Sequence, residues 1–91
     1  MDVYIVYTVD ADNKKSIWKK MYSSWDTVTD AVKKAAESRY KVYVMNFISV
    51  EKMKPVYESV TSVEAEKRPE GILYAHLMND SYRFYIMKMS A

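Results

Sequence analysis

The sequence predicts an α+β fold: a mostly antiparallel sheet of five or six strands with one helix packed on one face. Three observations carry that expectation. Apolar residues alternate with a period of two along much of the chain, and the period switches once to that of a helix, between Trp25 and Ala36. Aromatic residues, which favour strands, make up 14% of the composition. At 91 residues the chain is one domain, residues 1–91, with room for one modest core. Hydrophobic residues at 49% and charged residues at 29% give the balance of a folded globule.

Val3 to Val9 reads as the first strand. Val3, Ile5, Tyr7 and Val9 share one face, and Tyr4, Val6 and Thr8 share the other. Both faces are largely apolar, the mark of an interior strand. Asp10 to Asn13 carries turn chemistry. Ser16 to Tyr22 is the return strand, and its lysines suit a solvated face or an edge.

Trp25, Val28, Val32, Ala35 and Ala36 then form one helical stripe, which places a helix over residues 24–38. Ser23, with Asp26 three positions on, fits a capping box. Asp30 and Lys34 form a favourable i,i+4 pair. Lys41 to Val50 reads as a strand, apolar on both faces. Pro55 to Val63 is ambiguous. Val56, Val60 and Val63 fit a helix, whereas the β-branched content fits a strand, which is the reading taken. Glu64 to Gly71 is a charged connection.

Residues 72–78 and 81–89 flank Asn79-Asp80, a pair suited to a two-residue type I′ hairpin. That turn sets Leu77 opposite Tyr82, Ala75 opposite Phe84 and Leu73 opposite Ile86, all on the core face. Tyr74 then opposes Tyr85, and His76 opposes Arg83, on the other face. The element order is β-β-α-β-(β)-β-β. The sheet face without the helix is left bare or covered by a second molecule, so a homodimer is expected through that face or an edge strand.

Composition excludes several classes of chemistry. With one glycine the chain cannot build Gly-rich phosphate loops. Without cysteine it has neither disulfides nor thiolate metal sites, and with one histidine it has no two-histidine metal site. No cofactor or metal is expected. No apolar run approaches the roughly 20 residues of a membrane span. The start, Met1-Asp2-Val3-Tyr4, lacks the features of a signal peptide, so the expected location is cytoplasmic.

Net charge is +2, too small to demand a nucleic-acid partner. Its distribution is uneven. Between Asn13 and Trp25 stand Lys14, Lys15, Lys19 and Lys20 and no acid, which gives the molecule a basic end.

Two constellations could bind something. Tyr74, His76, Arg83 and Tyr85 would form an aromatic-cationic platform on the exposed hairpin face. Such a platform suits base stacking and phosphate pairing, a protein interface, or simple cross-strand packing. Lys14, Lys15, Lys19 and Lys20 with Trp18 among them could grip a phosphate backbone, or could guard an edge strand. Catalysis has little support. Ser49-Val50-Glu51-Lys52 matches S-x-x-K on two fixed positions only, and the credible chemistry would be RNA cleavage at His76.

Val3-Tyr4-Ile5-Val6-Tyr7, and Tyr22-Ser23-Ser24-Trp25-Asp26 running into Ala31, resemble small uncharacterised proteins of tailed bacteriophages over about the first half of the chain. In those proteins a strand hairpin leads through a similar helix cap into one helix and a third strand. The resemblance implies a viral accessory protein made in the host cytoplasm, of a kind that binds and blocks a bacterial host factor such as a defence or toxin-antitoxin enzyme. It supplies no catalytic residues. The expected function is therefore non-catalytic binding and modulation of a bacterial protein. The alternative is a small RNA-binding protein, and the third reading is a small ribonuclease.

Overall fold

The computed structural model describes residues 2–52, 54–78 and 81–90. In chain order the elements are β1 (Asp2–Asp10), β2 (Lys15–Tyr22), α1 (Trp25–Ala35), β3 (Ile48–Glu51), β4 (Lys54–Ser59), α2 (Ser62–Lys67), β5 (Leu73–Leu77) and β6 (Tyr82–Ser90). All strand pairs are antiparallel, in one six-stranded sheet of order β2-β1-β6-β5-β3-β4. The predicted α+β class is present, with β1 interior and β2 at an edge as expected. β1 and β6 pair along their whole length, from Asp2 opposite Ser90 to Asp10 opposite Tyr82.

The main core lies between the sheet and α1. Tyr4 and Val6 from β1, Phe84 and Ile86 from β6 and Tyr74 from β5 meet Trp25, Val28 and Val32 of the helix. Trp25 is the hub, with its ring centroid 5.8 Å from Tyr4, 5.8 Å from Phe47 and 4.7 Å from Tyr74. The Asp30–Lys34 pair forms at 3.1 Å on the exposed side of the helix.

Five local expectations are corrected. The cap of α1 is Ser24, not Ser23: its hydroxyl accepts the Thr27 N–H at 3.2 Å and lies 2.7 Å from the Thr27 hydroxyl. The helix also ends differently. It continues as a π-helical turn over Ala36–Tyr40, closed by Lys41 in the left-handed region at φ 57°. A C-terminal position of this kind usually takes glycine. A chain with one glycine has to use other residues, and Asn13, Lys41, Lys52 and Tyr57 all hold positive φ here.

The expected strand over residues 41–50 shrinks to β3. Phe47 and Met45 are drawn under the helix into the core, while Tyr43 and Val44 stay exposed. Nδ1 of His76 accepts the Asn46 N–H at 3.2 Å, which fixes this segment to β5 outside the ladder. The stretch read as a strand over 55–63 is β4 followed by the start of a second helix. Thr61 caps α2, and Glu64 returns the capping box. The expectation of one helix missed this short one.

The fifth correction moves the β5–β6 register by one residue. Tyr74 lies opposite Ile86, Ala75 opposite Tyr85, His76 opposite Phe84 and Leu77 opposite Arg83. Asn79 and Asp80, on which the type I′ turn was placed, lie outside the described residues. The physical reason is the layer above. Phe84 and Ile86 face the helix beside Val6, so the strand that pairs them must present its bulkiest apolar residue, Tyr74, to Trp25. Ala75 then falls beside the stacked rings of Tyr7 and Tyr85 on the opposite face, where a small side chain fits.

The helix-free face is less bare than expected. Tyr7, Val9, Val50, Ala75 and Tyr85 bury one another there, with Leu73 at the margin.

Candidate functional site

The site begins with an irregularity in β2. Tyr7 pairs with Ile17 and Ile5 with Met21, so four residue steps on β2 span two on β1. The two extra residues bow the strand at Trp18-Lys19-Lys20. Bulges of this kind bend an edge strand and re-aim its side chains. Here the bow turns Trp18, Lys19 and Lys20 toward α1.

The opposing wall comes from a second stripe on the helix. Ala31, Lys34, Ala35, Ser38 and Arg39 run beside the core stripe at i, i+3, i+4, i+7 and i+8. The two alanines are small, so the helix does not close against β2. An open groove of about 560 Å³ remains. Its floor is aromatic and its banks are basic. Trp18 is half-buried, edge-on to Phe84 at 6.2 Å and 6.5 Å from Tyr22. The Lys20 ammonium sits 5.3 Å from the centre of the Tyr22 ring.

Lys19, Lys20, Lys34 and Arg39 all line the groove. Among its described lining residues none is a carboxylate, although Lys34 is paired with Asp30 at 3.1 Å. Four cations facing one recess raise its potential and favour an anion there.

The predicted site residues separate into those gathered here and those dispersed. Trp18, Lys19 and Lys20 are gathered. Lys14 and Lys15 are not: the Lys14 backbone closes the β1–β2 turn onto Asp10, and the Lys15 ammonium lies 4.8 Å over the Tyr7 ring on the helix-free face.

The hairpin platform of Tyr74, His76, Arg83 and Tyr85 does not assemble, because the one-residue register change puts its members on opposite faces. Tyr74 is fully buried under Trp25, and burial pushes its hydroxyl up to about 12. Tyr85 stacks on Tyr7 at 5.1 Å on the far side, and burial, with the Tyr85 hydroxyl as a second cause, raises Tyr7 as well. Arg83 is held by the Asn13 side-chain oxygen at 2.9 Å. His76 faces the helix side, where it binds the Asn46 backbone. These four residues cannot act together on one phosphate.

Lys34, Ser38 and Arg39 were missed by sequence reasoning. Their signal was present as a second helical stripe starting at Ala31, but small and charged residues in such a stripe read as an ordinary solvated face. Among the described residues no group of three or more His, Asp or Glu could hold a metal ion, and no helix is long and apolar enough to cross a membrane. Comparison with protein-family models, curated proteins and solved structures gives no match.

Proposed function

We propose that this protein is a non-catalytic binding protein whose working surface is the groove between β2 and α1, and that its ligand is an anionic polymer. The observation that carries this reading is the convergence of Lys19, Lys20, Lys34 and Arg39, from two elements distant in sequence, on a recess with an aromatic floor and no lining carboxylate among its described residues. Lysine is depleted in the cores of protein interfaces, so a lysine-rich recess fits a phosphate or sulfate polymer better than a protein surface.

Heparin affinity measured at two salt concentrations tests the proposal. Binding should weaken steeply as salt rises, because each neutralised anionic group releases counterions. Lys20→Gln with Arg39→Gln should weaken binding and flatten the slope, while Lys14→Gln should change little. Equal effects from all three positions would refute the groove as the site.

A protein partner is the second reading, and one observation favours it. Ile17 and Met21 on the edge strand β2, and Met89 on β6, are exposed large apolar residues on the helix-free face. On this second reading, the host factor implied by the phage resemblance, or a second copy of the chain, would use this surface rather than the groove. Light scattering on the wild type and on Ile17→Glu with Met21→Glu reads the homodimer directly. A monomer mass for both removes that form of the reading.

A further inference from the structure

We infer that the polymer held in the groove is single-stranded nucleic acid, with Trp18 as the platform on which a base stacks. This rests on the groove being the binding surface and adds the class of ligand. The two tryptophans have different environments. Trp25 is buried at the centre of the core, whereas Trp18 is half-buried and lines the groove. Trp18 meets Phe84 at an interplanar angle of 87° and Tyr22 at 58°, so neither neighbour stacks on its ring. Cations flank this platform on both sides, Lys20 on the strand and Lys34 and Arg39 on the helix.

The geometry discriminates between polyanions. A sulfated polysaccharide or an acidic peptide can satisfy the four cations but does not carry an aromatic π-face beside each anionic group to stack on Trp18. A nucleic-acid duplex has planar bases, but their faces are stacked inside the helix and cannot reach a recessed indole. A single strand alone presents phosphates and free base faces together, the combination that single-strand binders use. The small side chains of Ala31 and Ala35 leave room on the helix side of the groove for a flat ring.

Tryptophan fluorescence tests the inference in the intact protein, because Trp25 is buried and provides a constant background. The probes are an oligouridylate, a duplex of the same length, and heparin. The oligouridylate should quench Trp18 emission and bind more tightly than the duplex, and heparin should bind without comparable quenching. Trp18→Leu should abolish the quenching and weaken oligouridylate affinity roughly tenfold to a hundredfold, the loss of one stacked base. Its heparin affinity should fall by much less than its oligouridylate affinity, because heparin is held by the cations rather than by the ring.

Heparin binding with equal affinity for single strand and duplex, and no quenching, would overturn the stacking inference and leave the polyanion reading intact. No binding to any of the three probes at low salt would overturn both. The wild-type titration decides these outcomes even if Trp18→Leu fails to fold.

Discussion

Lys88 is the residue whose replacement should damage this protein most for its apparent modesty. It sits on β6 on the same face as Phe84 and Ile86, and it is 3% exposed. Its ammonium donates to the backbone carbonyls of Ala65 at 3.2 Å, Glu66 at 2.6 Å and Arg68 at 3.1 Å, and lies 3.4 Å from the Asp2 carboxylate. Those carbonyls belong to the last turn of α2 and the residue that ends it, where a helix runs short of its own donors; Ala65 also accepts the Arg68 N–H at 3.3 Å. One cation therefore closes the helix and fastens it to the sheet.

Lys88→Met keeps the length and apolar volume of the side chain and removes the charge. A hydrogen bond to a charged group contributes about 1.5–3 kcal/mol, but three sharing one donor do not add, and the outer carbonyls regain some water. No buried charge is stranded, because Asp2 is half-exposed, so the cost is that of neutral carbonyls losing a charged donor, and the expected loss is about 2–4 kcal/mol. It is a large part of the roughly 5–15 kcal/mol that stabilises a small domain. Asp2→Asn should cost less, about 1 kcal/mol or below, because the Asp2 side chain is 49% exposed. Urea denaturation followed by circular dichroism measures both. A Lys88→Met variant within about 1 kcal/mol of wild type would refute the view that this lysine fastens α2.

Two further outcomes follow from the same kind of accounting. Ser24→Ala should destabilise by about 0.5–2 kcal/mol through loss of the acceptor for the Thr27 N–H, while Ser23→Ala should cost little; thermal melts of the two variants would show the reverse order if the helix began one residue earlier. Tyr74→Phe should stabilise by about 1 kcal/mol at neutral pH, because the Tyr74 hydroxyl is buried with no hydrogen-bond partner among the described residues. Its pKa, raised to about 12 in the folded state chiefly by burial, lies above the unfolded value of about 10. The folded state therefore holds this proton more tightly. The associated stability is present below pH 10 and is lost as pH rises through about 12. Urea midpoints should accordingly fall less for Tyr74→Phe than for wild type across that alkaline range.

The fold was legible where one level of structure decided the outcome. The alternation in β1, the edge lysines of β2 and the Trp25–Val28–Val32 stripe each reported their own burial directly. It was illegible where two levels competed. In the last hairpin, local turn chemistry favoured one register and packing against α1 required another. Packing prevailed, since a one-residue slip exchanges the faces of every side chain on a strand. Tyr74 went inward with the change, and the expected platform of four residues was divided between two faces. Lys88 was unreadable for a related reason. A lysine in an alternating strand reads as solvent-facing, and only the arrival of α2 carbonyls makes its buried position stable. The capping box at Thr61 and Glu64 was readable, but β-branched residues before it drew attention to a strand.

The lysines of β2 admit two explanations, guarding an exposed edge or holding a ligand, and the bow in the strand bears on the choice. A bulge already blunts an edge by twisting its hydrogen-bonding groups out of line, so it makes lysine guards less necessary at that point. The two extra residues stand at Trp18-Lys19-Lys20, the segment that lines the groove. A strand shaped only to resist edge pairing would have no need of a half-buried indole there, nor of Lys34 and Arg39 on the facing helix. Edge protection accounts for the cations of β2 alone. A ligand lying between the two elements accounts for all four cations, the aromatic floor and the two small residues that keep the groove open.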